Sequence, residues 1–98
     1  MNNIRLNLEK TRINYRRYIL FVDNVWTGRI VLECYNGVWN LELMDVYPPG
    51  KGFGTIFLAK VFSAENLKAE HMTVCPLSSG SARFFKRNGF DVADRWFK

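Results

Sequence analysis

Three glycines at alternate positions, Gly50, Gly52 and Gly54, form the stretch of this sequence whose spacing most directly suggests chemistry. They follow an apolar segment and precede a helix-like one, with Lys51 between the first two and Thr55 after the last. Glycine lets a ligand approach the backbone closely, and the first turn of a helix offers unpaired N–H groups at the positive end of its dipole. With a lysine ammonium and a threonine hydroxyl nearby, the stretch predicts a phosphate or pyrophosphate site. A closely packed strand-to-helix loop is the alternative.

Two common phosphate-binding loops do not have this pattern. A Walker loop needs G-x-x-x-x-G-K-[ST], whereas Lys51 precedes the second glycine. The dinucleotide-binding fingerprint needs G-x-G-x-x-G within a parallel β-α-β unit, whereas the spacing here is G-x-G-x-G and no such unit precedes it.

The residues around the glycines extend the pattern into a longer motif. Residues 44–55, MDVYPPGKGFGT, resemble the acetyl-CoA-binding motif of the GNAT superfamily of N-acetyltransferases, a β-strand ending in V-x-P-x-Y-R-G-x-G-[IV]-G before a helix. Residues 79–90, SGSARFFKRNGF, resemble the other cofactor-side signature of that superfamily, N-x-x-A-x-x-F-Y-x-K-x-G-F. The two matches follow the family order, with a predicted helix and strand between them, and cover roughly residues 40–92.

The resemblance implies a fold, a cofactor and a reaction. The fold would be α+β (mixed α/β), with a central, mostly antiparallel sheet and two helices. The reaction would be direct transfer of acetyl from acetyl-CoA to an amine in a ternary complex. The strand at residues 44–46 would pair with the pantetheine arm, the N–H groups of the glycine turn would hold the pyrophosphate, and the second signature would border the thioester. The cofactor-binding residues implied in this way are Met44, Val46, Gly50, Lys51, Gly52, Phe53, Gly54, Thr55, Ser79, Ala82 and Phe85.

The resemblance also directs attention to carboxylates, because an acceptor amine must lose a proton before it attacks, and the family's bases are often carboxylates on the motif strand. Glu42 is the first candidate and Asp45 the second. Strict alternation would place Glu42 and Met44 on one face of the strand. Leu41, Leu43 and Asp45 would then share the opposite face. An ion-paired or solvent-exposed strand carboxylate is the alternative role for each.

The sequence departs from the family pattern at four points. Pro49 replaces the Arg or Gln that usually opens the glycine turn, and Ser79 replaces the asparagine of the second signature. Phe85 stands where many members have a tyrosine that protonates the departing thiolate. Only about 38 residues precede the motif strand, and they contain no pattern for the two helices that usually shape the acceptor site. An open acceptor site suits a protein or another exposed macromolecular amine. The same departures leave a second interpretation, a non-catalytic GNAT-fold module that contacts a protein or nucleic acid.

The elements that carry these residues are predicted from propensity and turn signals. β-branched and aromatic runs predict an antiparallel meander, and Asn36-Gly37 predicts a two-residue type I′ hairpin. Hydrophobic periodicity predicts two helices, the second capped by Ser78 or Ser79. The expected order is four strands, helix, strand, helix, strand. The predicted ranges are strands at 4–8, 13–22, 29–35, 38–46, 71–75 and 91–97, with helices at 55–69 and 80–88.

Composition and charge indicate the number of domains and the kind of partner. A chain of 98 residues with 48% hydrophobic residues predicts a single domain over residues 1–98. The net charge of +5 favours an anionic partner, which a phosphorylated cofactor, an acidic protein or nucleic acid would each satisfy. The basic residues are scattered, which favours a solvated surface over a nucleic-acid interface. An uncovered sheet edge is also compatible with a homodimer.

The cellular setting is inferred from apolar runs and cysteines. No apolar run approaches the roughly 20 residues that span a bilayer, and the N-terminal residues are charged where a signal peptide is apolar. Cys34 and Cys75 have neither disulfide nor metal spacing. The expectation is a cytoplasmic protein with no membrane segment and no metal.

Overall fold

A computed structural model of the protein, which describes residues 3–76 and 78–92, contains a five-stranded sheet in the order β1-β2-β3-β4-β5. Strands β1 to β4 are antiparallel neighbours, and β5 runs parallel to β4. This α+β arrangement confirms the predicted fold class. The predicted last strand, 91–97, lies outside the described residues from position 93 onward. The elements are β1 Ile4–Arg12, β2 Tyr15–Val22, β3 Val25–Tyr35, β4 Val38–Val46, α1 Phe53–Glu65, a short 3₁₀ helix Ala69–His71, β5 Thr73–Val74 and α2 Ser79–Arg87.

Two tight turns set the register of the central hairpins. Asn36 and Gly37 have φ values of 52° and 81°, as the predicted type I′ turn requires. Asp23 and Asn24, with φ values of 51° and 65°, form a similar two-residue connection between β2 and β3. Because the second turn is this short, β3 begins at Val25, four residues earlier than the sequence predicts.

In the described part of the chain, helices pack on one face of the sheet and not on the other. Residues such as Leu20, Ile30 and Leu32 are fully buried and form a single core cluster with the inward side chains of both helices. We call this side the helix face. The register places Arg5, Ile19, Arg29, Val31, Leu43 and Asp45 on the opposite side, which we call the open face, and none of these six belongs to the core cluster.

Helix α1 packs through an apolar stripe, as its sequence periodicity predicts. Phe57, Leu58 and Val61 recur at helical spacing and are at most 1% exposed. The helix ends at Glu65 because Asn66 adopts a left-handed conformation, with φ 53°, and its N–H bonds to the carbonyls of the last turn. The predicted end at residue 69 is therefore four residues too late.

Aromatic rings join α2 to α1. The ring of Phe90 lies 5.9 Å from that of Phe62 on α1 and 5.4 Å from that of Phe85 on α2. Phe85 also meets its neighbour Phe84 edge-to-face at 5.3 Å. Pairs with this geometry contribute about 0.5–1.5 kcal/mol each beyond their buried area. These ring contacts fix the position of α2 relative to α1.

The buried Tyr18 hydroxyl donates a hydrogen bond to Glu65, which also lies 3.4 Å from the guanidinium of Arg16. Burial, and then the bond to Glu65, raise the pKa of Tyr18 above its ordinary value of about 10. A raised folded-state pKa gives stability that is complete below pH ~10 and is lost as the pH rises above that value. Tyr18→Phe is therefore expected to lower the unfolding free energy by about 1 kcal/mol at neutral pH. The difference from the unsubstituted protein should shrink at alkaline pH in urea titrations, and a constant difference up to pH ~11 would contradict this.

Candidate functional site

The sheet separates between β4 and β5. These strands pair only at Asn40 with Thr73 and at Leu41 with Val74. Strand β4 continues to Val46, so its edge facing β5 carries no ladder partner beyond Leu41 among the described residues. Unpaired backbone groups along a strand can bond to an extended ligand that adds itself as a further strand.

A cleft of about 590 Å³ occupies this separation. One wall is β4 from Leu41 to Val46, and the other is formed by the end of β5 and by α2. The glycine turn and the start of α1 close the end beyond Val46. Of the sequence-predicted site residues, the cleft brings together Glu42, Met44, Asp45, Val46, Gly50, Lys51, Gly52, Phe53, Gly54, Thr55 and Phe85.

A β-bulge in β4 lies where the cleft begins. Val31 pairs with Leu43 but Leu32 pairs with Leu41, so Glu42 is the extra residue on β4. Because the bulge interrupts alternation, Leu41 lies on the helix face with Met44, while Leu43 is on the open face. The predicted shared face for Leu41 and Leu43 is therefore wrong. A one-residue bulge leaves no clear signal in an apolar strand sequence.

Glu42 is an exposed residue held by neighbours at the open-face side of the cleft. The side-chain amide of Asn40 donates to Glu42 Oε1 at 2.9 Å, and the Thr73 hydroxyl donates to Asn40 Oδ1 at 2.6 Å. The Tyr35 hydroxyl donates to Glu33. Hydrogen bonding to Glu33, and then to Glu42, raises the pKa of Tyr35 above its ordinary value.

Asp45 has a different environment. Its carboxylate lies 3.2 Å from the Arg29 guanidinium, directly across the β3–β4 ladder. Both side chains are on the sheet surface, 40% exposed for Arg29 and 55% for Asp45. The negative charge of Asp45 is thus already paired, whereas Glu42 is held through neutral donors.

The glycine turn presents unprotected amides at the start of α1. Gly52 is the N-cap residue, with φ 78°, and no side chain caps the helix. Gly50 also has a left-handed φ of 77°, and a Cβ at either position would meet nothing within 4 Å. The first turn of α1 lines the cleft next to the exposed Lys51, and its N–H groups have no partner within the helix. An anion can approach them, since the helix dipole and the N–H groups point the same way.

Gly54 has a packing role as well. A Cβ at Gly54 would lie 3.0 Å from the Phe84 ring and 3.4 Å from the Met44 methyl group. The missing side chain therefore lets α1, α2 and β4 approach one another at the cleft floor. This role could not be separated from ligand approach by sequence alone.

Of the α2 residues that the second signature implies, Phe85 lines the cleft and Ala82 does not. Ala82 is fully buried and is not among the residues that line the cleft, whereas Ser81 lines it. Ser78 caps the helix through two reciprocal bonds: its hydroxyl accepts from the Ser81 N–H, and its own N–H donates to the Ser81 hydroxyl. The Ser81 hydroxyl also donates to the Ser78 carbonyl at 3.0 Å. The backbone of Ser79 begins the helix, and its side chain lies outside the described part. The Ser-x-x-Ser spacing is the sequence signal that fixes this phase.

Phe85 lines the cleft but is mostly part of the core. It is 7% exposed and packs against two neighbouring rings. No hydroxyl is present at this position to donate a proton into the cleft.

Comparison with known proteins bears on the fold. No family model and no curated protein matches the sequence. The structure is similar to the crystal structure of a ribosomal-protein-alanine N-acetyltransferase from Brucella melitensis biovar Abortus 2308, with a TM-score of 0.58 and 13% identity. The mostly antiparallel sheet with two helices is consistent with a GNAT-like fold. At this identity the likeness shows the fold alone.

The similarity covers 85% of this chain but only 66% of the acetyltransferase chain, so the chain spans slightly less than two thirds of that protein. The described part of this chain contains the five-stranded sheet with both helices packed on one face. Among the described residues, neither α1 nor α2 has the length and apolarity that a bilayer crossing would require.

Proposed function

We propose that residues 1–98 form one cytoplasmic domain that transfers an acetyl group from acetyl-CoA to an amine on a protein or another exposed macromolecule. One observation carries the proposal: a cleft that has an unpaired strand edge along one wall ends at an uncapped helix N-terminus. The strand edge fits an extended amide-bearing arm, and the helix start fits a diphosphate. The residues present therefore fit the cofactor that the fold implies.

The glycine turn would bind the pyrophosphate through the backbone N–H groups of Phe53, Gly54 and Thr55, with Lys51 adding charge. The open edge of β4 between Glu42 and Val46 would pair with the pantetheine arm. Five strand residues extend over about 13–17 Å, which is the scale of an extended pantetheine. This arrangement would leave the thioester near the bulge, where the two strands separate.

When bound, acetyl-CoA supplies an acetyl thioester whose thiol is a good leaving group. Glu42 is the base that we assign, because this residue lines the cleft at the bulge and its carboxylate is held by a neutral donor. It would accept a proton from the acceptor ammonium, directly or through one water. The amine nitrogen would then bond to the acetyl carbon as the carbon–sulfur bond breaks, the nitrogen would release its second proton to solvent, and solvent would protonate the thiolate. Phe85 has no proton to supply, so that last step relies on the acidity of the thiol itself.

The open face sets the class of acceptor. Glu42, Leu43 and Asp45 line the cleft, and the latter two lie on the side of the sheet that carries no helix in the described part. An amine that approaches from this side meets a broad surface rather than an enclosed pocket. Such a surface favours the N-terminus or a lysine of a protein over a small metabolite.

Calorimetric titration with acetyl-CoA, followed by measurement of thiol release, tests the proposal. The acceptors would be a peptide with N-terminal alanine, after the similar acetyltransferase, an acetyl-capped lysine peptide and spermidine. Binding with thiol release on a peptide is the expected result. Binding without thiol release would favour a non-catalytic module, and absence of binding would exclude both.

Arg87 lines the cleft near the last turn of α2 and is a candidate to contact the 3′-phosphate of CoA. We expect Arg87→Ala to weaken CoA binding by about three- to tenfold, because one exposed charge-assisted hydrogen bond is lost. Binding of dephospho-CoA, which lacks that phosphate, should change by less than about twofold. Arg83→Ala, on the same helix but outside the cleft, is the matched control. Equal losses for both ligands would show that Arg87 contacts another part of the cofactor.

A further inference from the structure

The orientation of the Glu42 carboxylate depends on the hydrogen-bonded side chains beside the bulge. A glutamate on a strand surface loses rotamer entropy when it is fixed in one orientation. A bulge residue also lacks the regular cross-strand neighbour that would restrict it. A base that must meet a proton at hydrogen-bond distance therefore needs partners that restrict its side chain.

Two strands supply those partners. Thr73, on β5, donates to Asn40 Oδ1 at 2.6 Å, and this bond leaves the Asn40 amide nitrogen directed at Glu42 Oε1, 2.9 Å away. Asn40 and Thr73 are also a backbone register pair, so the chain of bonds begins at one of the two places where β4 and β5 are joined. The threonine thus fixes which end of the Asn40 amide faces the carboxylate.

Tyr35, the last residue of β3, donates its single hydroxyl proton to Glu33. The side chains that hold Glu42 are therefore those of β4 and β5, Asn40 and Thr73.

We infer that Thr73 and Asn40 are positioning residues that hold the Glu42 carboxylate toward the acceptor amine at the bulge. The inference rests on the proposed function, and it distinguishes Glu42 from Asp45, whose carboxylate is paired with the cation Arg29. Neither residue acts on the acceptor directly. Their effect passes through Glu42 and vanishes when Glu42 is no longer a base.

The experiment is a double-mutant cycle with Thr73→Val and Glu42→Gln in the full chain. Valine keeps the shape of threonine and removes its hydroxyl, while Thr73→Ser keeps the hydroxyl. Thr73→Val should lower kcat/KM for the acceptor peptide by about three- to tenfold, with the affinity for acetyl-CoA unchanged, and Thr73→Ser should remain within about twofold of the unsubstituted protein. In the Glu42→Gln background, Thr73→Val should have no further effect. Thr11→Val, at an exposed position of edge strand β1, is the matched control.

Two results would overturn the inference: full activity in Thr73→Val, or the same loss with and without Glu42. The second would mean that the hydroxyl acts only on the fold. If Thr73→Val does not fold, Asn40→Ala takes its place in the cycle and the same two results decide. Failure of the proposed function is recognised separately, because the unsubstituted protein would then bind no acetyl-CoA or release no thiol, and the positioning role would fall with it.

Discussion

Glu42→Gln is expected to lower kcat for peptide acetylation by about 10²- to 10³-fold while the affinity for acetyl-CoA changes by less than about twofold. Glutamine retains an oxygen that can accept from Asn40, so the side chain keeps its place. It cannot accept a proton from the acceptor ammonium. The loss should therefore lie in the chemical step and not in cofactor binding.

The pH dependence sharpens this prediction. A lysine acceptor, with an ordinary pKa of about 10.4, loses its own proton as the pH rises, so the need for a base declines. Activity of the Glu42→Gln variant should accordingly recover toward that of the unsubstituted protein above pH ~9. Asp45→Asn is the matched control, since it removes the other cleft carboxylate, and we expect a loss of less than about threefold because that charge is paired with Arg29. The reverse order of the two losses would assign the base to Asp45.

Gly52→Val is expected to weaken acetyl-CoA binding by at least about 100-fold. The added side chain would occupy the open space in front of the first N–H groups of α1, where a Cβ on residue 52 would have no other atom within 4 Å. Valine is also strained at φ 78°, and residues in such regions cost about 1–3 kcal/mol. The affinity loss must therefore be separated from a loss of stability.

Gly37→Val provides that separation. Gly37 has nearly the same φ, 81°, and equally open surroundings, but it lies in the β3–β4 hairpin away from the cleft. The two variants should lose similar unfolding free energy in urea titrations, and only Gly52→Val should lose affinity in calorimetry. Normal binding by a folded Gly52→Val protein would show that the glycine turn is structural. Gly54→Val is less informative, because its side chain would also press on Phe84.

Local signals in the sequence predicted the parts of the fold that depend on neighbouring residues. Asn36-Gly37 predicted its turn because both positions need positive φ, and apolar periodicity predicted the buried stripe of α1. The glycine turn was predicted as a helix start, and Gly52 is indeed the N-cap. Its role in binding an anion stays a prediction.

Features that depend on pairing between distant residues could not be predicted in this way. The bulge at Glu42 exists only relative to Leu32 and Val31 on β3, and the bonds from Thr73 depend on a strand that follows α1. Ser81 lines the cleft but was not among the cofactor-binding residues that the signature implied, because the Ser78–Ser81 cap sets the phase of α2. The register between distant strands determines the bulge and the bonds of Thr73, and the reciprocal Ser78–Ser81 cap determines the phase of α2.

The short ladder between β4 and β5 affects how firmly the two walls of the cleft are held together. This ladder is two residue pairs long. The wall formed by β5 and α2 is joined to the rest chiefly through the rings of Phe62, Phe84 and Phe90 and the side chains around them. Packed rings permit small sliding motions that backbone hydrogen bonds resist. A ligand that contacts both walls of the cleft therefore adds to the contacts that hold them together. Because such a ligand binds the folded protein, its binding raises the unfolding free energy.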